Sequence, residues 1–500
     1  MKVYVRNRRS TRSIDEATYP HLVLTRDSWN DYSYYTLFGV ELRLRKDSSE
    51  ERISLKSTSI MRKGQREGLE NRPFEELGDC VEIPEATLRE ICSLSSNQEY
   101  YDALEKLDSE LAREILTTLR DASLMKEIRE EFQSEPCFKI SLLRESTARE
   151  LLDTAGPRFG TEQKLISRFQ AEIPLPGASV PHRFDFDFRE RQGVPHRINS
   201  IVGLNGVGKT QVMARLAMLL SGFSKAATKE RRATLGTEGM LEPLPSIYTV
   251  VAVSFSAFDE FDRPTKIQGE NFKYSYCGLQ GSGGRLKNKE TLLSEIKEML
   301  SNSMEDEKRI LLKSALKHLV RVDNIDDFVD YPNQYSSLYE RLSAGQRLAL
   351  NCILHIISKI GPRTLVLFDE PELHLHPQLL TGLLNSLSEI LEKQDSFSII
   401  ATHSPLVIQQ LPKECVHIVK RDRSTPLILK PTFQTFGENV SDITRFVFSA
   451  TESDRDYRNI LDKMFIDNNG DVDAILRIFD NQLSLNANIY LESLRASKDV

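Results

Sequence analysis

Apolar and polar positions alternate from Phe38 through Val40 and Leu42 to Leu44, the two-residue period of a strand buried on one face. Farther along, Tyr101, Leu104, Leu107, Leu111, Ile115 and Leu119 recur at spacings of three and four, which predicts one amphipathic helix over residues 99–122. That stripe is too short to specify a coiled coil and is expected to pack on its own core. From about residue 166 the texture changes. Phe184, Phe186 and Phe188 alternate with charged residues ahead of a turn at Gln192-Gly193, and RINSIVG, residues 197–203, reads as a second strand leading into a glycine-rich loop. QVMARLAMLL after the loop has helical spacing, and YTVVAVSFS beyond it reads as a further strand. The stretch GLQGSGGRLKNK is expected to be flexible, and a charged helical region from about 289 to 320 follows it. TLVLF and FSIIAT are continuous apolar runs of the kind found in strands covered on both faces. Near the end, DAILRIFDNQLSLNANIYLESL is apolar at helical spacing and predicts a docking or capping helix.

These elements divide the chain into an α+β region over residues 1–165, a motif-bearing α/β domain over 166–445 with a helical insertion at about 286–330, and a helical extension over 446–500. The length of 500 residues fits such a division, and 40% hydrophobic with 28% charged residues is the composition of a soluble globular protein. No apolar run is long enough to span a bilayer, and no apolar stretch follows the basic N-terminus, so the chain is expected in the cytoplasm. A formal net charge of −7 argues against a surface that coats nucleic acid as a whole. Arg6, Arg8, Arg9 and Arg12 form a local basic cluster, read as a solvated terminal arm. The six cysteines have neither C-x-x-C pairing nor metal-ligand spacing and are read as reduced thiols.

GLNGVGKT, residues 203–210, satisfies the pattern G-x-x-x-x-G-K-[ST] between a predicted strand and a predicted helix. Its glycines let the backbone N–H groups of Asn205, Gly206, Val207 and Gly208 turn toward phosphates, Lys209 reaches the β- and γ-phosphates, and the Thr210 hydroxyl is placed for magnesium. In LVLFDEPELHLHP, Asp369 and Glu370 emerge at the C-terminal end of a buried strand, where open α/β sheets bind ligands. Asp369 is the expected second magnesium ligand. Glu370, expected to point the other way along the pleat, is the candidate general base for an attacking water. His403 ends the next apolar strand and is the candidate group for orienting the γ-phosphate and the water. His374 and His376 fall in a turn before Pro377 and are read as turn residues, not zinc ligands. DNNGDVD, with Asp471 and Asp473, is read as a polar turn.

With LSAGQ at residues 342–346, four patterns stand in order: GLNGVGKT, LSAGQ, LVLFDEPELHLHP and IIATHS. Together they resemble the ATP-binding-cassette ATPases, in particular the soluble SMC, RecF and OLD-like branch. The run ELHLHP, ATHSPLVIQQLP and TFGENVSDITRFVF is similar to the AAA ATPases of bacterial defence islands, such as the Septu ATPase PtuA. The resemblance implies a P-loop NTPase head with a mostly parallel sheet, helices on both faces and an antiparallel β subdomain, using ATP and Mg2+. It further implies that Ser343, Gly345 and Gln346 contact the nucleotide of a second copy, so that two heads pair head to tail, as a dimer or a higher oligomer. In the defence group the partner is a separately encoded nuclease, often of the HNH type, regulated by the ATPase as sensor or scaffold. The competing expectation is a stand-alone RecF-like repair or maintenance ATPase that binds DNA directly. A transporter subunit is disfavoured, because the family's Gln after the third strand is missing from SFSAFDEFD, where Ser256 and Asp259 are the candidate substitutes. An OLD-type nuclease domain is not expected either, since only about 55 residues follow the ATPase region.

Overall fold

The computed structural model describes all residues except 11, 13, 15–17, 30–32, 46–51, 163–164, 224–238, 257–258, 266–272, 282–286, 302–304, 320–328, 330–338, 448–456 and 499–500. The predicted flexible stretch GLQGSGGRLKNK and the end of the predicted helical region fall partly outside the described residues. The chain forms two compact units, Met1–Gly437 and Glu438–Val500.

The first strands of the larger unit are β1 (Lys2–Asn7), β2 (His21–Arg26), β3 (Leu37–Arg43), β4 (Arg52–Arg62), β5 (Val81–Glu82) and β6 (Ile91–Leu94). They form a sheet of order β5-β1-β2-β3-β4-β6, in which only β1 and β2 run parallel. The alternation seen at Phe38, Val40 and Leu42 is that of β3, whose inward side chains are buried. Of the basic cluster read as a solvated arm, Arg8, Arg9 and Arg12 are exposed, but Arg6 lies within β1 and donates to Thr25 of the neighbouring β2.

The predicted single helix over 99–122 is two, Gln98–Glu105 and Ser109–Thr118. The break is local chemistry: the Asp108 carboxylate accepts hydrogen bonds from the N–H groups of Glu110 and Leu111, capping a new helix start in the middle of an uninterrupted apolar stripe. Tyr101, Leu104, Ile115 and Leu119 are still buried in one core, so the stripe predicted the packing although not the break.

Two further sheets build the rest of the larger unit. β7 (Arg168–Ile173), β8 (His182–Asp187) and β10 (Met240–Glu242) make an antiparallel sheet of order β10-β7-β8. The main sheet contains β9 (Ile198–Val202), β11 (Thr249–Ser254), β12 (Tyr274–Gly278), β13 (Thr364–Asp369), β14 (Phe397–Thr402), β15 (Val416–Asp422) and β16 (Thr425–Leu429). Its order is β12-β11-β13-β14-β9-β15-β16, parallel except at β16. This is an α/β fold, and β9, β13 and β14 are buried along their whole length, as interior parallel strands require. The turn at Gln192-Gly193 does not make β8 and β9 a hairpin. β8 pairs with β7 and β9 crosses into the main sheet, so that Phe184, Phe186 and Phe188 pack against residues such as Ile201 and Leu216 between the two sheets.

The N-terminal region is tied to the main domain by polar contacts. Arg149 donates to the carbonyls of Leu219 and Leu220, the last turn of the helix Lys209–Ser221, where a cation meets the negative end of the helix dipole. Tyr248 donates to Asp153, and Lys273 pairs with Glu150. Among the described residues no helix is long and apolar enough to cross a membrane.

In the smaller unit, the helices Val440–Val447, Tyr457–Asp467, Val472–Ile478 and Leu485–Lys498 follow one another. Leu461, Val472, Ile475, Ala487 and Leu491 form its core. The apolar run predicted as one docking helix is thus two helices, and Asp471 of the polar turn caps the first of them by accepting from the N–H of Ala474.

Candidate functional site

Register in the main sheet brings the sequence motifs to one edge. Ser254 lies opposite Asp369, Asp369 opposite Ala401, and Thr402 opposite Val202, so β11, β13, β14 and β9 all end together. The chain leaves β9 directly into the loop Gly203–Gly208 and then into the helix Lys209–Ser221. Gly206 and Gly208 have φ of 81° and 95°, in the left-handed region where a side chain is strained. At Gly203 the constraint is space, since a Cβ there would lie 2.5 Å from the carbonyl oxygen of Val419. Asn205 and Gly206 form the exposed crest, with Val207 and Gly208 half-buried behind them.

The buried Lys209 ammonium donates to the carbonyls of Gly203 (3.1 Å) and Leu204 (3.3 Å) and lies 3.8 Å from the Glu370 carboxylate. A phosphate entering the loop would replace these partners. The Thr210 hydroxyl donates to Asp369 Oδ2 at 2.9 Å, joining two residues 159 positions apart. Asp369 is fully buried and its other oxygen, Oδ1, has no hydrogen-bond partner. Burial pushes its carboxyl up to about 7, with the nearby Glu370 adding to the shift and the Thr210 hydrogen bond opposing it. A desolvated carboxylate with an orphaned oxygen, next to a hydroxyl, suits a hard cation that takes oxygen ligands, so the donor set fits Mg2+.

Glu370 departs from the expectation that it continues the pleat. β13 ends at Asp369, and Glu370 takes a φ of 48° while its N–H bonds the carbonyl of Ala401 at 2.8 Å. Such a backbone is sparsely populated for a residue with a side chain and recurs at functional sites. The turn carries the carboxylate to 3.7 Å from His403 Nδ1. Thus Lys209, Thr210, Asp369, Glu370 and His403 converge at the sheet edge.

Ser343, Gly345 and Gln346 are not joined to that cluster by any hydrogen bond among the described residues. Ser343 caps the helix Ala344–Lys359: its hydroxyl accepts from the Gln346 N–H, and the Gln346 side chain accepts from the Ser343 N–H. The spacing of Ser and Gln in LSAGQ is therefore a capping box. Ser343 is exposed at the helix mouth, and a Cβ on Gly345 would lie 3.0 Å from the carbonyl of His374. The motif thus presents a helix N-terminus outward while resting on the turn that follows Glu370.

Of the two candidates for the missing Gln, Asp259 is buried and committed, accepting from Tyr276 (2.7 Å), Arg263 (3.0 Å) and the N–H of Phe261. Ser256 donates its N–H to the Ser254 hydroxyl. His376 caps the helix Pro377–Lys393 by accepting from the N–H of Gln378, a local role for one of the two turn histidines.

Sequence reasoning passed over Glu372. Its Oε1 accepts from the Thr402 hydroxyl and from the His403 N–H, both at 2.7 Å, and lies 3.1 Å from His403 Nδ1. The signal was present in the second glutamate of DEPE, three residues past the strand, but only the fold shows that it meets the end of β14.

One stability consequence follows from Asp369. Between pH of about 4 and about 7 the folded protein retains a proton here that the unfolded chain has lost, so this group's contribution to stability falls as pH rises through that window. In EDTA, Asp369→Asn is expected to be more stable than wild type above pH 7, by roughly a few kcal/mol. The difference should vanish near pH 4 and shrink when Mg2+ is added. Thermal unfolding at several pH values checks it, and equal Tm values at pH 8 would refute it.

Residues 297–409 match the family model described as "AAA domain, putative AbiEii toxin, Type IV TA system", which covers LSAGQ, the acidic strand and His403 but not the phosphate loop. Protein ea59 of Escherichia phage lambda is 28% identical over 526 aligned residues, spanning 95% of this chain and 95% of that protein. The "Retron Vc95 probable ATPase" of Vibrio cholerae serotype O1 biovar El Tor is 35% identical over 78 residues, 16% of this chain and 15% of that protein. Among solved structures, the ADP conformation of MJ1267, an ATP-binding cassette of an ABC transporter, is 15% identical with a TM-score of 0.31, covering 56% of this chain and 95% of that one. The SmcHead bound to the C-winged helix domain of ScpA is 13% identical with a TM-score of 0.26, covering 54% of this chain and 98% of that one. The strand order and the motifs at the sheet edge, not these superpositions, carry the description of the fold.

Proposed function

We propose that this chain, which matches an AAA-domain model over residues 297–409 and carries a phosphate-loop pattern at 203–210, binds Mg-ATP and hydrolyses it in composite sites made by two copies paired head to tail. The observation that carries the reading is the convergence of Lys209, Thr210, Asp369, Glu370 and His403 at one sheet edge, with Ser343 exposed and Gly345 half-buried at a separate helix mouth. Lys209 and the loop N–H groups hold the phosphates, and Thr210 and Asp369 hold the cation, which offsets the charge of the β- and γ-phosphates when bound. Glu370 accepts a proton from the attacking water. Ser343, with the N-terminus of its helix, closes over the nucleotide of the opposite copy, so ATP joins the heads and hydrolysis lets them part.

At the cellular level the proposal is an ATP-dependent sensor or scaffold in the cytoplasm that regulates a separately encoded nuclease in bacterial defence against phage. The order of motifs supports it, as does likeness to a protein whose name places it with a retron. A relative aligned across nearly the full length belongs to a phage. The test is the native mass of the protein purified with the products of neighbouring genes, with and without Mg-ATP. The expected result is a nucleotide-dependent oligomer containing a nuclease. A bare dimer that binds DNA would overturn the effector reading in favour of a RecF-like one, and a mass indifferent to ATP would overturn the composite site.

A further inference from the structure

We infer that Glu372 is a positioning residue that sets the orientation and ring tautomer of His403; the inference rests on the ATPase reading above. Glu372 Oε1 holds the Thr402–His403 segment by two hydrogen bonds, accepting from the His403 N–H and from the Thr402 hydroxyl, both at 2.7 Å, and it lies 3.1 Å from His403 Nδ1. The side chain of Glu372 is largely buried, whereas that of His403 is about two-fifths exposed (41%), so the carboxylate is the fixed member and the imidazole the one steered.

A carboxylate can only accept. Nδ1 forms no hydrogen bond as it stands, yet it lies 3.1 Å from that carboxylate, so Nδ1–H toward Glu372 is the tautomer that a small rotation of the ring would satisfy. Nε2 is left as the atom that meets the nucleotide or its water. Glu370 also lies 3.7 Å from Nδ1, but it is the candidate base and is shared with Lys209 at 3.8 Å, so it cannot hold the ring while it takes a proton from water. The two glutamates of DEPE thus divide the work: Glu370 faces the reaction, and Glu372 holds the histidine that borders it. This is the general logic of a carboxylate behind a functional imidazole.

Three measurements test the assignment. Glu372→Ala is expected to lower kcat about 10- to 100-fold with KM changed by no more than about twofold. Glu372→Gln, which keeps an acceptor oxygen in place, is expected to recover most of that loss and guards against a folding artefact. In a His403→Ala background, Glu372→Ala should cost no more than about a further twofold, because a residue acting through His403 has nothing left to position. Finally, 15N spectra of histidine-labelled protein without nucleotide should show His403 protonated at Nδ1 in wild type and in Glu372→Gln but not in Glu372→Ala.

Additive losses in the double variant, or a tautomer unchanged in Glu372→Ala, would overturn the inference. So would a Glu372→Gln protein that folds yet is as slow as Glu372→Ala. Absence of ATP turnover in wild type would instead overturn the ATPase reading, and the nitrogen spectra would still decide the role of Glu372.

Discussion

Glu370→Gln is expected to lower ATP turnover by about 100-fold or more while ATP binds at least as tightly as to wild type. The substitution keeps the length and shape of the side chain, and the backbone bond from residue 370 to Ala401 does not depend on the carboxylate. It removes two things. The proposed proton acceptor is lost, and general-base loss of this kind is worth about 10²- to 10⁴-fold. The negative charge 3.8 Å from Lys209 Nζ is also lost, and in the nucleotide-free protein that charge competes with phosphate for the lysine. Turnover should therefore fall while affinity stays or rises, and the paired, ATP-loaded form should accumulate in size-exclusion chromatography with Mg-ATP. Turnover within threefold of wild type would remove Glu370 from the proposed base role, leaving Asp369 and His403 to be tried next.

The site was legible in the sequence to the extent that its chemistry is local. The phosphate loop needs three glycines, a lysine and a hydroxyl in one short stretch, and a strand before and a helix after it are visible in the apolar pattern. Asp369 and His403 could be placed because each ends an uninterrupted apolar run, and such runs are interior strands whose last residues meet at one edge. What could not be read depended on distance in the chain or on competing local bonds. Glu370 was located but its backbone was not, because a left-handed turn in a residue with a side chain leaves no pattern in one sequence. Glu372 matters only through Thr402 and His403, some thirty residues away, brought close by the pairing of β13 with β14.

The same distinction holds for the fold. The apolar stripe over 99–122 gave the buried face and not the break, since Asp108 caps a helix by bonds that periodicity does not weigh. The aromatic strand Phe184 to Phe188 was evident, but its pairing with β7 was not: the turn after it looks like a hairpin turn, and the choice between sheets is made by core packing. β12 escaped notice because YSYCG is short and polar in part, as an edge strand can be.

Ser343→Arg is expected to abolish ATP-dependent pairing and to lower turnover by about 100-fold or more, with the variant's own phosphate loop intact. Ser343 is exposed at the start of its helix and its hydroxyl is bonded only to the Gln346 N–H among the described residues, so a bulky cation there should disturb a partner's nucleotide more than its own fold. Lys209→Ala should be equally inactive for the opposite reason: it offers a sound helix N-terminus but cannot hold phosphate. The composite site makes these two defects complementary. In a mixed pair, the phosphate loop of the Ser343→Arg copy meets the intact LSAGQ of the Lys209→Ala copy, and one of the two sites is whole. Mixing the two inactive proteins in equal amounts should therefore restore turnover to as much as roughly half of the wild-type value, since only mixed pairs can form and each carries one working site of two. A site contained within one chain predicts no recovery at any ratio. Turnover that stays at the level of the separate variants, while size-exclusion chromatography shows mixed pairs forming, would therefore rule out the head-to-tail arrangement, whatever the ATPase itself does.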